Sequence, residues 1–192
     1  MSFDEEIEKS VDILKKGKNL LYPTDTVWGI GCEAFNIHAI NKIYRIKNRN
    51  CSKSMIILVE SIDRLHQLVE YVSDFTIKIL IDNFEKNKKP ITIVYDHIRQ
   101  IASSILNKEN TLAIRLTNDS FCSCLIQNLD KPIISTSANL SGFSSPQYFS
   151  EISPSILSQV DYAVNLRRKE KAHYRNSSII KIVSNKVKIL RM

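Results

Sequence analysis

The chain has 192 residues, with 27 lysines and arginines against 20 aspartates and glutamates, a formal net charge of +7. Hydrophobic residues make up 43% and charged residues 24%, ordinary globular usage that argues against disorder, and the length suits one well-cored domain over residues 1–192. The longest apolar runs, such as Met55–Val59, fall far short of the roughly 20 residues that span a bilayer. The acidic start Met1-Ser2-Phe3-Asp4-Glu5-Glu6 lacks the pattern of a signal peptide, so a soluble cytoplasmic protein with no membrane contact is expected.

Ser2-Phe3-Asp4-Glu5 reads as a capping box, followed by Ile7, Val11 and Leu14 on one helical face and Gly17 as the stop. Leu20-Leu21-Tyr22 is a short strand ended by Pro23, and the stretch from Tyr22 to Gly31 reads as a hydroxyl-rich loop. Asn36 caps a second helix with Ile37, Ile40, Ile43 and Tyr44 on one face. Met55–Val59 has the continuous apolar pattern of a strand covered on both faces. Helices follow from Ser61, with Ile62, Leu65 and Val69 inward, and over Asp74–Phe84. Ile91–Tyr95 and Leu112–Leu116 are strands, Asp119–Leu129 a helix, Ile133–Ser135 a strand, and part of Pro146–Ser158 a helix. Tyr162–Asn165, Ser178–Val183 and Val187–Leu190 read as strands, the last two a hairpin turning at Ser184-Asn185-Lys186. Leu166–Asn176, with its run Arg167-Arg168-Lys169-Glu170-Lys171, reads as a mobile loop. Strands alternating with helices predict an α/β fold, and the hairpin makes its central sheet mixed.

Several chemistries find no support. Only four glycines occur, about 2% against a usual ~7%, so a bound phosphate must be met mainly by Lys, Arg and hydroxyl groups. Gly29-x-Gly31-x-x-Ala34 imitates a dinucleotide fingerprint but stands too far from the first strand and from the helix at Asn36. There is no P-loop, no Gly-x-Ser-x-Gly and no His-Glu-x-x-His. Cys32, Cys51, Cys122 and Cys124 form no Cys-x-x-Cys, and the four histidines have no ligand spacing, so no protein-held metal and no disulfide is expected.

Four polar clusters remain, each at the end of a predicted strand, where open α/β sheets bind ligands. They are Thr24-Asp25-Thr26; Lys47-Asn48-Arg49 with Lys53; Arg115, with Thr111 four residues before it; and Ser135-Thr136-Ser137-Ala138-Asn139-Leu140-Ser141-Gly142. Each has a bland reading as a solvated helix end, a turn or a cap. Arg115 is hardest to dismiss, because an unpaired arginine buried in an apolar strand costs several kcal/mol. Cations with convergent hydroxyls and an amide suit a polyphosphate.

Pro-Thr-Asp-Thr-Val-Trp-Gly-Ile-Gly-Cys, then Lys-x-Arg, Ala-Ile-Arg and Ser-Ala-Asn-Leu-Ser-Gly, in this order and spacing, resembles the YrdC/TsaC family of threonylcarbamoyl-AMP synthases. The resemblance covers about Leu20 to Arg191 and looks like the short form without an added C-terminal domain. It implies a twisted mixed parallel/antiparallel α/β sheet flanked by helices, with a basic concave pocket. It also implies an enzyme, a nucleotidyltransferase joining L-threonine, bicarbonate and ATP into L-threonylcarbamoyladenylate with release of pyrophosphate. That product serves the N6-threonylcarbamoyladenosine modification of adenosine 37 in tRNAs reading ANN codons. By motif position, Lys47 and Arg49 would be catalytic. Lys47, Arg49, Lys53, Thr111, Ser137, Asn139, Ser145 and Arg191 would line the ATP side; Thr26, Arg115, Ser135 and Ser177 would hold threonine. Arg115 would offer the threonine carboxylate a bidentate fork. Mg²⁺ would be carried mainly by the ATP phosphates. TsaD-, TsaB- and TsaE-type proteins would complete transfer to tRNA, which the chain itself would bind weakly.

The chain departs from the family pattern in four places. Leu58 stands where many relatives have His, so one threonine contact is missing; Lys88-Lys89-Pro90 replaces Pro-Gly-Pro, and Trp28 replaces Tyr or Phe. In Ser177-Ser178-Ile179-Ile180-Lys181 either Ser177 or Ser178 could be the contact. Two rival readings are a non-catalytic basic RNA-binding module, favoured by the net charge, and a carbamoyl-adenylate enzyme like the domain in hydrogenase-maturation carbamoyltransferases. The first lacks RNA-binding motifs and cations interleaved with aromatics; the second belongs to much longer chains.

Overall fold

The computed structural model describes residues 2–51, 54–86, 88–99, 109–174 and 176–192. In chain order the elements are α1 (Phe3–Lys15), β1 (Leu20–Tyr22), β2 (Gly29–Glu33), α2 (Ile37–Ile46), β3 (Ile56–Val59), α3 (Ile62–Leu68) and α4 (Asp74–Glu85). Then come β4 (Ile91–Tyr95), β5 (Leu112–Leu116), α5 (Ser120–Leu129), β6 (Ile133–Ser137), a 3₁₀ turn (Phe149–Glu151), α6 (Pro154–Leu157), β7 (Tyr162–Ala163), β8 (Ser178–Val183) and β9 (Lys186–Arg191). The strands form one mixed sheet in the order β7-β1-β2-β6-β3-β5-β4-β8-β9. β1–β7, β3–β5 and β4–β8 pair in parallel, and the other neighbours are antiparallel.

Capping chemistry sets several helix starts as the sequence predicts. Ser2 and Glu5 complete the capping box of α1, and Asn36, Ser61 and Asp119 cap α2, α3 and α5 with their side-chain oxygens. Ser184 and Asn185 both take positive φ (49° and 57°) between β8 and β9, the two-residue turn that matches strand twist.

Alternation along the strands sorts side chains onto two faces. Leu21, Ile30, Ile57, Val59, Ile93, Leu112 and Ile114 pack under α2, α3 and α4. Leu20, Tyr22, Leu58 and Ile133 face the other way, against Ile7, Val11 and Leu14 of α1 and Phe121, Leu125 and Leu129 of α5. Those two helices cover only part of that second face. The remainder, over β2, β6, β3, β5, β4 and β8, floors a cavity.

Two expectations need correction. Gly29–Glu33 is strand β2, not loop: two glycines lower strand propensity, but alternation at Ile30 and Cys32 carries the pairing on both sides. Ile37 is exposed rather than inward, because it opens α2 beyond the edge of the core. The helix expected within Pro146–Ser158 is present as the four-residue α6, started by Ser153 and Pro154 and preceded by a 3₁₀ turn.

Gly31 shows why a glycine sits in β2. A Cβ there would run into the backbone carbonyl oxygen of Ile134 on β6 and stand 2.8 Å from Cε1 and Oη of Tyr22, whose ring is fully buried. Gly31→Ala should therefore cost about 1–3 kcal/mol of stability through overpacking, read as a lowered urea midpoint at unchanged slope.

Candidate active site

The cavity on the uncovered sheet face holds about 360 Å³. Its floor combines residues at strand ends, among them Gly29, Ile56 and Ser137, with residues inside strands such as Ala113, Arg115 and Ser135, so the placement expected from open α/β sheets holds in part. On β5, Leu112 and Ile114 point into the core, so Ala113 and Arg115 point into the cavity. Gly29 of β2, Ser135 and Ser137 of β6, Ile56 of β3, Val94 of β4 and Ile179 of β8 reach it by the same alternation.

Three guanidinium groups converge on this wall: Arg49, Arg115 and Arg191. Their mutual repulsion is felt: beyond the effect of burial, Arg115 and Arg49 both hold the Arg191 guanidinium below its ordinary pKa. Glu109 is the one carboxylate among the described lining residues.

Arg115 is buried and held from behind. Its Nη2 lies 3.0 Å from Asp25 Oδ1, and its Nη1 donates to Thr26 Oγ1 at 3.3 Å. Burial raises the Asp25 carboxyl pKa despite the opposing pull of Arg115. The expected free fork for a carboxylate is thus partly committed, while among the described residues the Arg115 Nε–H has no hydrogen-bond partner. Thr26 is fixed in turn: its N–H donates to Thr24 Oγ1 at 3.0 Å, and the Thr24 hydroxyl donates to Val27 O at 2.7 Å.

The Lys-Asn-Arg segment ends α2. Lys47 is the C-cap, and Asn48 takes φ 48°, a left-handed position that asparagine tolerates. This bend sends the two cations apart. Arg49 turns to the cavity, where its Nη2 donates to Ser54 O at 2.8 Å. Lys47 turns inward and is almost wholly buried. Its ammonium donates to Ser137 O and, at 2.6 Å, to Asn139 O. Burial first, and then the Arg49 charge, push its pKa down to about 7. The loop after β6 is tied to α2 a second time, by Ser141 N–H to Lys47 O at 2.9 Å.

Of the residues singled out in the sequence, Thr26, Arg49, Thr111, Arg115, Ser135, Ser137, Ser177 and Arg191 line this one cavity. Lys47, Asn139 and Ser145 do not. Lys47 and Asn139 shape the loop behind it, Asn139 Nδ2 donating to Phe143 O at 2.7 Å and Leu140 O at 3.0 Å. Ser145 lies beyond that loop, its carbonyl facing Gln147. Lys53 lies outside the described residues. Of Ser177 and Ser178, Ser177 lines the cavity with its hydroxyl 2.8 Å from Thr92 Oγ1, and Ser178 begins β8 opposite Ile91. Arg191 donates to Ser177 O at 2.9 Å, which joins a residue expected on the ATP side to one expected to hold threonine. Leu58 is the register partner of Arg115 but is buried against α1 and α5, away from the cavity wall. Residues not foreseen on the wall include Ser54, Glu109 and Asn176.

Residues 12–192 match the family model Sua5_yciO_yrdC, described as telomere recombination. The chain belongs to the Sua5/YciO/YrdC family. A threonylcarbamoyl-AMP synthase of Pseudoalteromonas translucida is 32% identical over 167 residues, which are 86% of this chain and 88% of that protein. One of Moraxella catarrhalis is 31% identical over 149 residues, 71% of this chain and 73% of that protein. Among solved structures, a variant of P. abyssi Sua5 superposes with a TM-score of 0.82 at 21% identity, covering all of this chain and 57% of that one. P. abyssi Sua5 complexed with L-threonine gives 0.76 at 22%, covering 96% of this chain and 53% of that one. E. coli YciO gives 0.76 at 21%, covering 96% and 87%. The chain thus spans little more than half of the Sua5 chains but most of the curated relatives. No helix among the described residues is long and apolar enough to cross a membrane.

Proposed function

We propose that this chain is an L-threonylcarbamoyladenylate synthase, making the adenylate from L-threonine, bicarbonate and ATP and releasing pyrophosphate. The observation that carries the reading is the convergence of Arg49, Arg115 and Arg191 with the Thr26, Ser135 and Ser137 hydroxyls in one cavity. The family and the relatives named threonylcarbamoyl-AMP synthase support it. The threonine amine adds to CO2 derived from bicarbonate, losing a proton, and a carbamate oxygen then attacks the α-phosphorus of ATP as pyrophosphate leaves. Both partners are anionic. Fixed guanidinium groups cancel their repulsion, and holding two reactants in line supplies on the order of 7–11 kcal/mol of the barrier.

Arg115 and Thr26 hold the threonine end; Arg49, Thr111, Ser137 and Arg191 serve the nucleotide end. Lys47 and Asn139 act through the loop they shape. Among the described residues no group of three or more His, Cys, Asp or Glu is arranged to hold an ion. Mg²⁺ carried by the ATP phosphates would neutralise the leaving pyrophosphate, and Glu109 is the one carboxylate among the described cavity-lining residues. The product goes to N6-threonylcarbamoyladenosine at position 37 of tRNAs reading ANN codons, through TsaD-, TsaB- and TsaE-type partners.

The test is pyrophosphate release from MgATP with threonine and bicarbonate each omitted in turn. Release that needs both is expected. Turnover indifferent to threonine, or none at all beside salt-sensitive RNA binding, would sink the reading.

A further inference from the structure

The sheet ends in β9, every residue of which is exposed, and no described strand pairs with its outer edge. Its two faces differ. Val187 stands opposite Ile182, and Ile189 opposite Ile180. Ile180 is buried in the core under the helices, and Ile182 packs against that core. Register partners share a face. The apolar core face therefore runs on, past the last covering helix, over Val187 (47% exposed) and Ile189 (56%).

The other face carries charge. Lys188 stands directly opposite Lys181, a like-charge pair that costs stability. Asp96 answers Lys181 at 3.0 Å. Among the described residues no ion pair answers Lys186 or Lys188. Lysines alone on an edge strand would read as protection against aggregation. The exposed valine and isoleucine between them are what such protection would avoid.

We propose that the outer edge of β9 receives an extended, acidic segment of a partner protein as an added strand, in which apolar residues alternate with carboxylates. The alternation follows from the pleat: apolar residues extend the core face beside Val187 and Ile189, and acidic ones meet Lys186 and Lys188. A second copy of this chain does not fit, because β9 carries Lys186, Lys188 and Arg191 and no acid, so self-pairing would crowd the cations of both copies into one ribbon. Leu190 and Arg191 of the same strand line the cavity, which puts the docked segment beside the site. The assignment does not depend on which reaction runs there.

The probe is a labelled peptide, acetyl-Glu-Ile-Glu-Val-Glu-Val-Glu-amide, titrated into the full chain, with lysine and serine versions as controls. Anisotropy reads binding, and amide exchange locates it. The acidic peptide should bind about tenfold or more tighter than the lysine one, weaken with salt, and slow exchange over 186–191. The double variant Lys186→Glu, Lys188→Glu, changed only at exposed positions and relieving the Lys181–Lys188 repulsion, should melt no lower than the unaltered chain and reverse the preference. Equal binding of all three peptides, unprotected β9 amides, or no reversal would overturn the proposal. Concentration-dependent dimerisation abolished by Val187→Asp would also overturn it, assigning the edge to a second copy.

Discussion

Arg115→Ala should lower kcat/KM for threonine by about 10²–10³-fold and also destabilise the fold by about 3–5 kcal/mol. The two losses have different causes. The first removes the cation from the cavity wall. The second leaves Asp25, which pairs with Arg115 at 3.0 Å, buried without its counter-charge. The double variant Arg115→Ala, Asp25→Asn separates them: it should regain most of the stability and none of the activity. Burial already raises the Asp25 pKa, and losing Arg115 raises it further. The folded single variant then binds a proton that the unfolded chain releases, so its stability falls as pH rises through that shifted value. Melting temperatures of Arg115→Ala should accordingly be higher at pH 5 than at pH 7. The Asp25→Asn double variant should lose that difference. A single variant that keeps threonine-dependent pyrophosphate release would remove Arg115 from the site.

What the sequence disclosed and what it hid divide along physical lines. Caps and apolar periodicity are local, so α1, α2, α3, α5 and the closing hairpin are legible from residues a few positions apart. Arg115 is legible for the same reason, being the one charge in an otherwise apolar strand. β2 is not, because its two glycines are there for neighbours far along the chain: the Ile134 carbonyl crowds Gly31, and the Ser135 hydroxyl lies close to Gly29. Asp25 behind Arg115 is equally non-local, which is why a fork expected to be free turns out half committed. The motif Lys-x-Arg names two cations but not their directions. Only the left-handed backbone at Asn48 sends Arg49 to the cavity and Lys47 into the interior. The sequence clusters thus located the cavity's region, whereas the division between wall residues and those behind the wall came from geometry.

That division gives Lys47 its own signature. An ammonium group almost wholly buried, with two backbone carbonyls as acceptors and its pKa pushed down to about 7, is a titrating element at the back of the site. The unfolded chain holds this proton up to about 10.4, whereas the folded chain releases it near 7. Between those values the unfolded state binds more protons, so this group makes stability rise with pH, by on the order of 1.4 kcal/mol per unit in mid-window. Denaturation at pH 7, 8 and 9 should show that rise, and Lys47→Met should lose it while also dropping activity by about 10²-fold or more through a loosened Ser137–Asn139 loop. Polyphosphate arriving beside Ser137 reverses the balance, because a nearby anion favours the charged amine. ATP binding near pH 8 should therefore take up a fraction of a proton, read by calorimetry in buffers of different ionisation enthalpy. Lys47→Arg, charged at every pH tested, should bind ATP without that uptake. Equal uptake in Lys47→Arg and the wild-type chain would move the proton to another group and leave Lys47 a purely structural clamp.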